Sequence, residues 1–161
     1  MKPLIFAYHN LFLMQLDKYP LYSGTDNSYY EFFSEGPKGR IKKVIQFHLL
    51  SAPSAPIYNL GFGDWREKGE YVDDLIVSNN QDRKKVLATV AYAVIDFTEK
   101  NRDAYIVAQG STAARTRLYQ MGISGFYEHA SNLFYISGYL RAEWIPFQKG
   151  RNYEAFLIRR K

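Results

Sequence analysis

Along the chain, apolar and polar residues mostly alternate with the period of two that marks a half-buried strand. Only two stretches shift to the period near 3.6 of an amphipathic helix. The first clear alternation, Ser28 to Ser34, sets Tyr30 and Phe32 against Tyr29, Glu31 and Phe33. A Gly36-Pro37-Lys38-Gly39 turn separates it from a second strand, Ile41 to Leu50, and together they predict a hairpin. A third strand runs from Ile57 to Asp64, with Tyr58, Leu60 and Phe62 on one face and Asn59, Gly61 and Gly63 on the other. A face that bare admits close approach by another element, and a packed helix is the expected occupant. A charged loop, Trp65 to Tyr71, leads to a short apolar run that begins Val72-Asp73-Asp74. Adjacent carboxylates on an extended chain point to opposite faces, so Asp73 and Asp74 do not form a dyad by themselves.

Ser78 to Asp82 carries capping chemistry and opens the first helix, expected over 81–100. Val86, Val90, Val94 and Phe97 form its stripe, widened by Leu87, Ala91 and Ile95, as suits a helix lying on a sheet. Ala104 to Ala108 reads as a strand and Gly110-Ser111-Thr112 as a tight turn. A second helix follows and is expected to stop at Gly122. Residues 123–130 read as a loop with room for one short helix. Strands follow at 133–140, at 141–147, where Pro146 restricts the strand to a sheet edge, and at 153–161. The order βββ(β)αβαβββ predicts an α+β fold: a mixed, mainly antiparallel sheet with two helices packed on one face.

Length and the absence of internal repeats point to one domain over 16–161, with residues 1–15 as an N-terminal extension or arm. Met14 resembles a natural start of translation. The opening apolar run lacks a small-x-small cleavage site and is too short to span a bilayer as a helix, so no membrane partner is expected.

Composition changes the picture in three ways. The chain has no cysteine, which excludes disulfides, a thiol nucleophile and thiolate metal sites, and accords with the cytoplasm. Its histidines, His9, His48 and His129, show no zinc spacing, so neither a metal nor a cofactor is expected. His48 lies in an apolar run and reads as a packed or half-buried side chain. Lys and Arg outnumber Asp and Glu, 21 to 16, with a pI near 9.3, which favours an acidic partner. Arg40, Lys42 and Lys43 read as a charged strand edge that keeps sheets from pairing. The fourteen tyrosines suit β-sheet, interfaces and base stacking alike.

The candidate site is the strand–turn–helix corner at Gly110, Ser111 and Thr112. Free amides at a helix N-terminus attract anions, and Arg115 and Arg117 follow within two turns. Two residues apart on a helix, the arginines diverge by about 160°. Arg115 is expected to reach back to an anion at the turn, and Arg117 to pair with a carboxylate such as Asp64, Asp73 or Asp74. Asn59, Asp64, Asp73, Asp74, Asn80 and Tyr119 are the supporting candidates. A purely structural alternative is a Ser or Thr cap with one arginine in an internal ion pair.

The runs Tyr58 to Asp64, Ser78 to Asp82, Lys85 to Val90, Gly110 to Tyr119 and Asn152 to Phe156, with Asp73-Asp74, resemble in order and spacing a bacterial family of small single-domain proteins of unknown function. The likeness runs from about Leu16 to the C-terminus. It implies a domain beginning near Met14 and carries no activity, cofactor or catalytic residue.

Three functions are compatible with these readings. The first is a non-enzymatic module binding nucleic acid, a nucleotide or an acidic partner through 110–117. The second is a metal-independent nuclease or nucleotide-processing toxin using Arg115, Arg117, Tyr119 and Asp64, with His129 as a distant acid/base group. The third is a homo-oligomeric accessory protein with a tyrosine-rich interface.

Overall fold

The computed structural model describes residues 2–3, 15–52, 54–75 and 77–161. The proposed arm falls almost wholly outside these residues, as does the Leu4 to Met14 run. The elements are β1 (Lys2–Pro3), β2 (Tyr22–Ser23), β3 (Tyr29–Gly36), β4 (Gly39–Ser51), β5 (Ile57–Arg66), β6 (Tyr71–Asp73), α1 (Arg83–Lys100), β7 (Tyr105–Ala108), α2 (Ala113–Leu133), β8 (Phe134–Leu140), β9 (Glu143–Pro146) and β10 (Ala155–Arg160). One sheet has the order β1-β2-β3-β4-β5-β7-β10-β8-β9, and β6 pairs with β5. Among the described residues only β5 and β7 pair in parallel, so the sheet is mixed and mainly antiparallel.

The period-two alternation decides which face the helices cover. Tyr30 and Phe32 of β3, Ile45 and Phe47 of β4, Leu60 and Phe62 of β5, Ile106 of β7 and Phe156 and Ile158 of β10 join one buried cluster with Val90, Val94 and Phe97 of α1. Phe97 stacks on Phe47 at 4.0 Å between centroids and meets Tyr58 edge-on at 4.9 Å. α2 completes the layer with Tyr119, Ile123, Tyr127, Ala130 and Leu133.

Four expectations change. The helices lie on the Tyr58, Leu60 and Phe62 face, not on the glycine face of β5. A Cβ on Gly63 would meet Val72 Cγ1 at 2.8 Å and collide with the Asp73 carbonyl of β6, so the bare position accommodates a strand. The second helix does not stop at Gly122 but runs unbroken to Leu133. A helical glycine costs about 1 kcal/mol against alanine, which the packing of the partly buried Ile123, Tyr127 and Leu133 against the core outweighs. β4 is interior, between β3 and β5, so Lys43 guards no edge. Finally, His48 is exposed, its Nε2 3.2 Å from Gln46 Oε1 on the face opposite α1 and α2. Pro146 does lie in the edge strand β9.

A gap in the sheet and the start of α2

The outer side of β5 pairs with β7 along 57–59 and with β6 along 64–66, and among the described residues no strand pairs with Leu60 to Gly63 there. Unpaired buried carbonyls are costly, so something must answer them. The first turns of α2 do so. Arg115, 3% exposed, donates from its guanidinium to the Phe62 carbonyl and lies over the Phe62 ring at 5.0 Å. One turn on, the Tyr119 hydroxyl donates to the Leu60 carbonyl at 3.4 Å. Burial pushes the Tyr119 phenol up to about 12, with Arg115 opposing the shift.

The Gly-Ser-Thr corner holds this helix start in place. Thr112 is the N-cap, its Oγ1 accepting from the Arg115 amide at 3.2 Å. The Gly110 amide donates to Thr116 Oγ1 at 3.0 Å, and Ser111 Oγ donates to the Asp74 carbonyl at 3.1 Å. A side chain on Gly110 would collide with Arg115 Cβ and the Thr116 backbone. Glycine is therefore required here for close approach. A recess of about 40 Å³ remains between Asn59, Gly61, Asp74, Ser111 and Arg115.

Arg117 points the other way. It is exposed, and it borders an open concavity formed by Gly110 to Ala114, Gln120 and the Asn152 to Glu154 loop. Gln120 ties that loop to α2 by donating to the Arg151 carbonyl at 2.8 Å and accepting from the Tyr153 amide at 3.2 Å. The expected pairing of Arg117 with Asp64, Asp73 or Asp74 is not formed. Asp64 binds Lys43 at 2.5 Å, and Asp73 binds Arg66 at 3.0 Å. Asp64 and Asp73 do meet as register partners on β5 and β6, while Asp74 turns out to solvent.

Asn80 sits in a separate buried network. It donates to Ser34 Oγ at 3.1 Å and the Gly39 carbonyl at 2.9 Å, and accepts from the Lys38 amide at 2.8 Å. Asp82 begins α1 without capping it by its side chain. Its carboxylate instead accepts from Ser34 Oγ at 2.5 Å and the Tyr19 hydroxyl at 2.7 Å. Lys43 donates to Ser78 Oγ at 2.5 Å as well as to Asp64. The sequence assigns Lys43 to a strand edge and Asp82 to a helix cap, and gives no role to Ser34 or Tyr19. The available signal was parity: Lys43 shares the face of Ile45 and Phe47, so its charge had to find a buried partner.

Of the enzyme candidates, Arg115 and Tyr119 share the small recess, whereas Arg117, Asp64 and His129 lie elsewhere. Arg115 and Tyr119 are committed to backbone carbonyls and Asp64 to Lys43. His129 lines a different feature, an apolar cleft of about 90 Å³ between α1 and α2. No group of three or more His, Asp or Glu among the described residues is placed to hold a metal ion. No helix among them is long and apolar enough to cross a membrane.

Fold and site together define a two-layer α+β protein, in which a helix start plugs a gap in a single sheet and presents its outer side to solvent. The chain belongs to a family of unknown function (DUF6934), whose model matches residues 15–161. No curated protein and no solved structure matches it.

Proposed function

We propose that the protein is a non-enzymatic binding module of the cytoplasm that takes an anionic, phosphate-type group at the outer side of the 110–117 corner. Nucleic acid, a nucleotide or an acidic protein would supply that group. The observation that carries this reading is the divergence of the two arginines. Arg115 is spent on the sheet gap, which leaves Arg117 as an exposed cation beside the α2 start. The helical ladder supplies no acceptor for the amides of Ala113 and Ala114, and both residues are exposed. Helix dipole and guanidinium therefore favour the same sign of charge in the concavity. Glu154, on its rim, opposes them.

Titration with inorganic pyrophosphate at low salt, followed by backbone amide NMR, tests the reading. Shifts clustered at Ser111 to Ala114, abolished in Arg117→Ala, are expected. Unchanged amides at that corner would overturn it.

A further inference from the structure

The face of the sheet opposite α1 and α2 carries a second arrangement, independent of the α2 corner. Register places Tyr105 of β7, Arg159 of β10 and Tyr135 of β8 directly beside one another in one transverse row. Neighbouring strands lie about 4.8 Å apart, so the two phenol rings stand roughly 10 Å apart with a guanidinium between them. Arg159 lies over the Tyr105 ring at 5.2 Å, and Lys161 lies over the Tyr135 ring at 5.2 Å. Four residues along β8, about 13 Å away, Tyr139 packs on Trp144 of β9 with 5.0 Å between centroids. Tyr135 and Trp144 are 61% and 44% exposed, high values for such large rings. Between the two aromatic groups lie Ser137, Leu157 and Val107, none long enough to block a ligand lying flat. On this face no position of β7, β8, β9 or β10 is acidic: Glu143 of β9, beside Leu140 in register, belongs to the other side, and Asp103 and Glu154 lie in the connections beyond the strand ends.

We infer that this face, across β7, β10, β8 and β9, binds single-stranded nucleic acid. Exposed rings offer stacking surfaces to unpaired bases, and Arg159 and Lys161 answer the phosphates. Charge argues against a second copy of the chain as the occupant. A homodimer interface is depleted in charge at its centre, whereas here copy on copy would bring unneutralised Arg159 and Lys161 together. A duplex is disfavoured because its bases are already stacked and paired. The inference does not rest on the anion site at α2.

Fluorescence anisotropy with labelled short oligouridylate and oligothymidylate at low salt tests it. Tyr135→Ala, Arg159→Ala and Arg117→Ala are measured beside the unmodified chain, with circular dichroism to confirm folding. Tyr135 is so exposed that its removal leaves the core intact. Binding is expected to weaken as salt rises. Tyr135→Ala and Arg159→Ala should each weaken it about fivefold or more, Arg117→Ala should weaken it less than either, and a duplex of equal length should bind less well. Four results would overturn the inference: no binding of either strand, equal binding of the duplex, loss only in Arg117→Ala, or a dimer that Tyr135→Ala dissolves without any oligonucleotide binding.

Discussion

The Arg115 guanidinium donates to the carbonyl of Phe62 while lying against that residue's ring, joining α2 to a stretch of β5 that no strand covers. One side chain thus closes a sheet, anchors a helix and fixes which way Arg117 faces. Replacing it leaves a buried carbonyl unanswered and a hole beside Phe62. Arg115→Ala should cost about 2–4 kcal/mol, and Arg115→Lys should recover little, since an ammonium cannot both stack and donate in the same plane. Chemical denaturation checks both. A variant as stable as the parent would refute this role.

Lys43 and Asp64 form a buried ion pair, with Ser78 as a further acceptor for the ammonium. Breaking such a pair from one side strands a charge and costs about 3–5 kcal/mol. Lys43→Met and Asp64→Leu should each destabilise on that scale. The double variant should regain most of the loss, and a double-mutant cycle measures the coupling.

Glycines of α2 and its approach predict opposite outcomes. Gly110→Ala drives a methyl into Arg115 and Thr116, and should cost at least about 2 kcal/mol by overpacking. Gly125 lies within α2 with open space where its Cβ would be. Gly125→Ala should therefore stabilise by about 0.5–1 kcal/mol. Melting temperatures of the two variants should move in opposite directions.

Burial raises the phenols of Tyr119 and Tyr92 to about 12, with Asp96 adding to the shift at Tyr92. Near pH 10 the unfolded chain begins to lose these protons while the folded chain keeps them, so the unfolded state binds fewer protons. Stability is therefore complete below pH 10 and falls between about pH 10 and 12. The slope is roughly 1.4 kcal/mol per pH unit for each such tyrosine. Tyr119→Phe should flatten that slope at a modest cost near neutral pH, because the hydroxyl answers Leu60. Denaturation midpoints across alkaline pH decide it.

Much of the architecture was legible one residue at a time. Period-two alternation assigned Tyr58, Leu60 and Phe62 to one face of β5, the apolar stripe located α1, and Pro146 marked an edge. The 3.6-residue period also required Arg115 and Arg117 to diverge. These are properties of an element relative to its own axis, and the local sequence contains them. Only the tertiary structure decided which arginine turned inward. That choice depends on β5 lacking a neighbour between its pairings with β7 and β6, a fact of register between distant strands. The same holds for Lys43 finding Asp64, for Asp82 serving Tyr19 and Ser34 instead of its own helix, and for α2 passing Gly122. For Asp82 and for α2, contacts between segments far apart in the chain outweighed a local preference of about 1 kcal/mol. The row of Tyr105, Arg159 and Tyr135 has the same origin, since three strands from separate parts of the sequence must align before those side chains become neighbours.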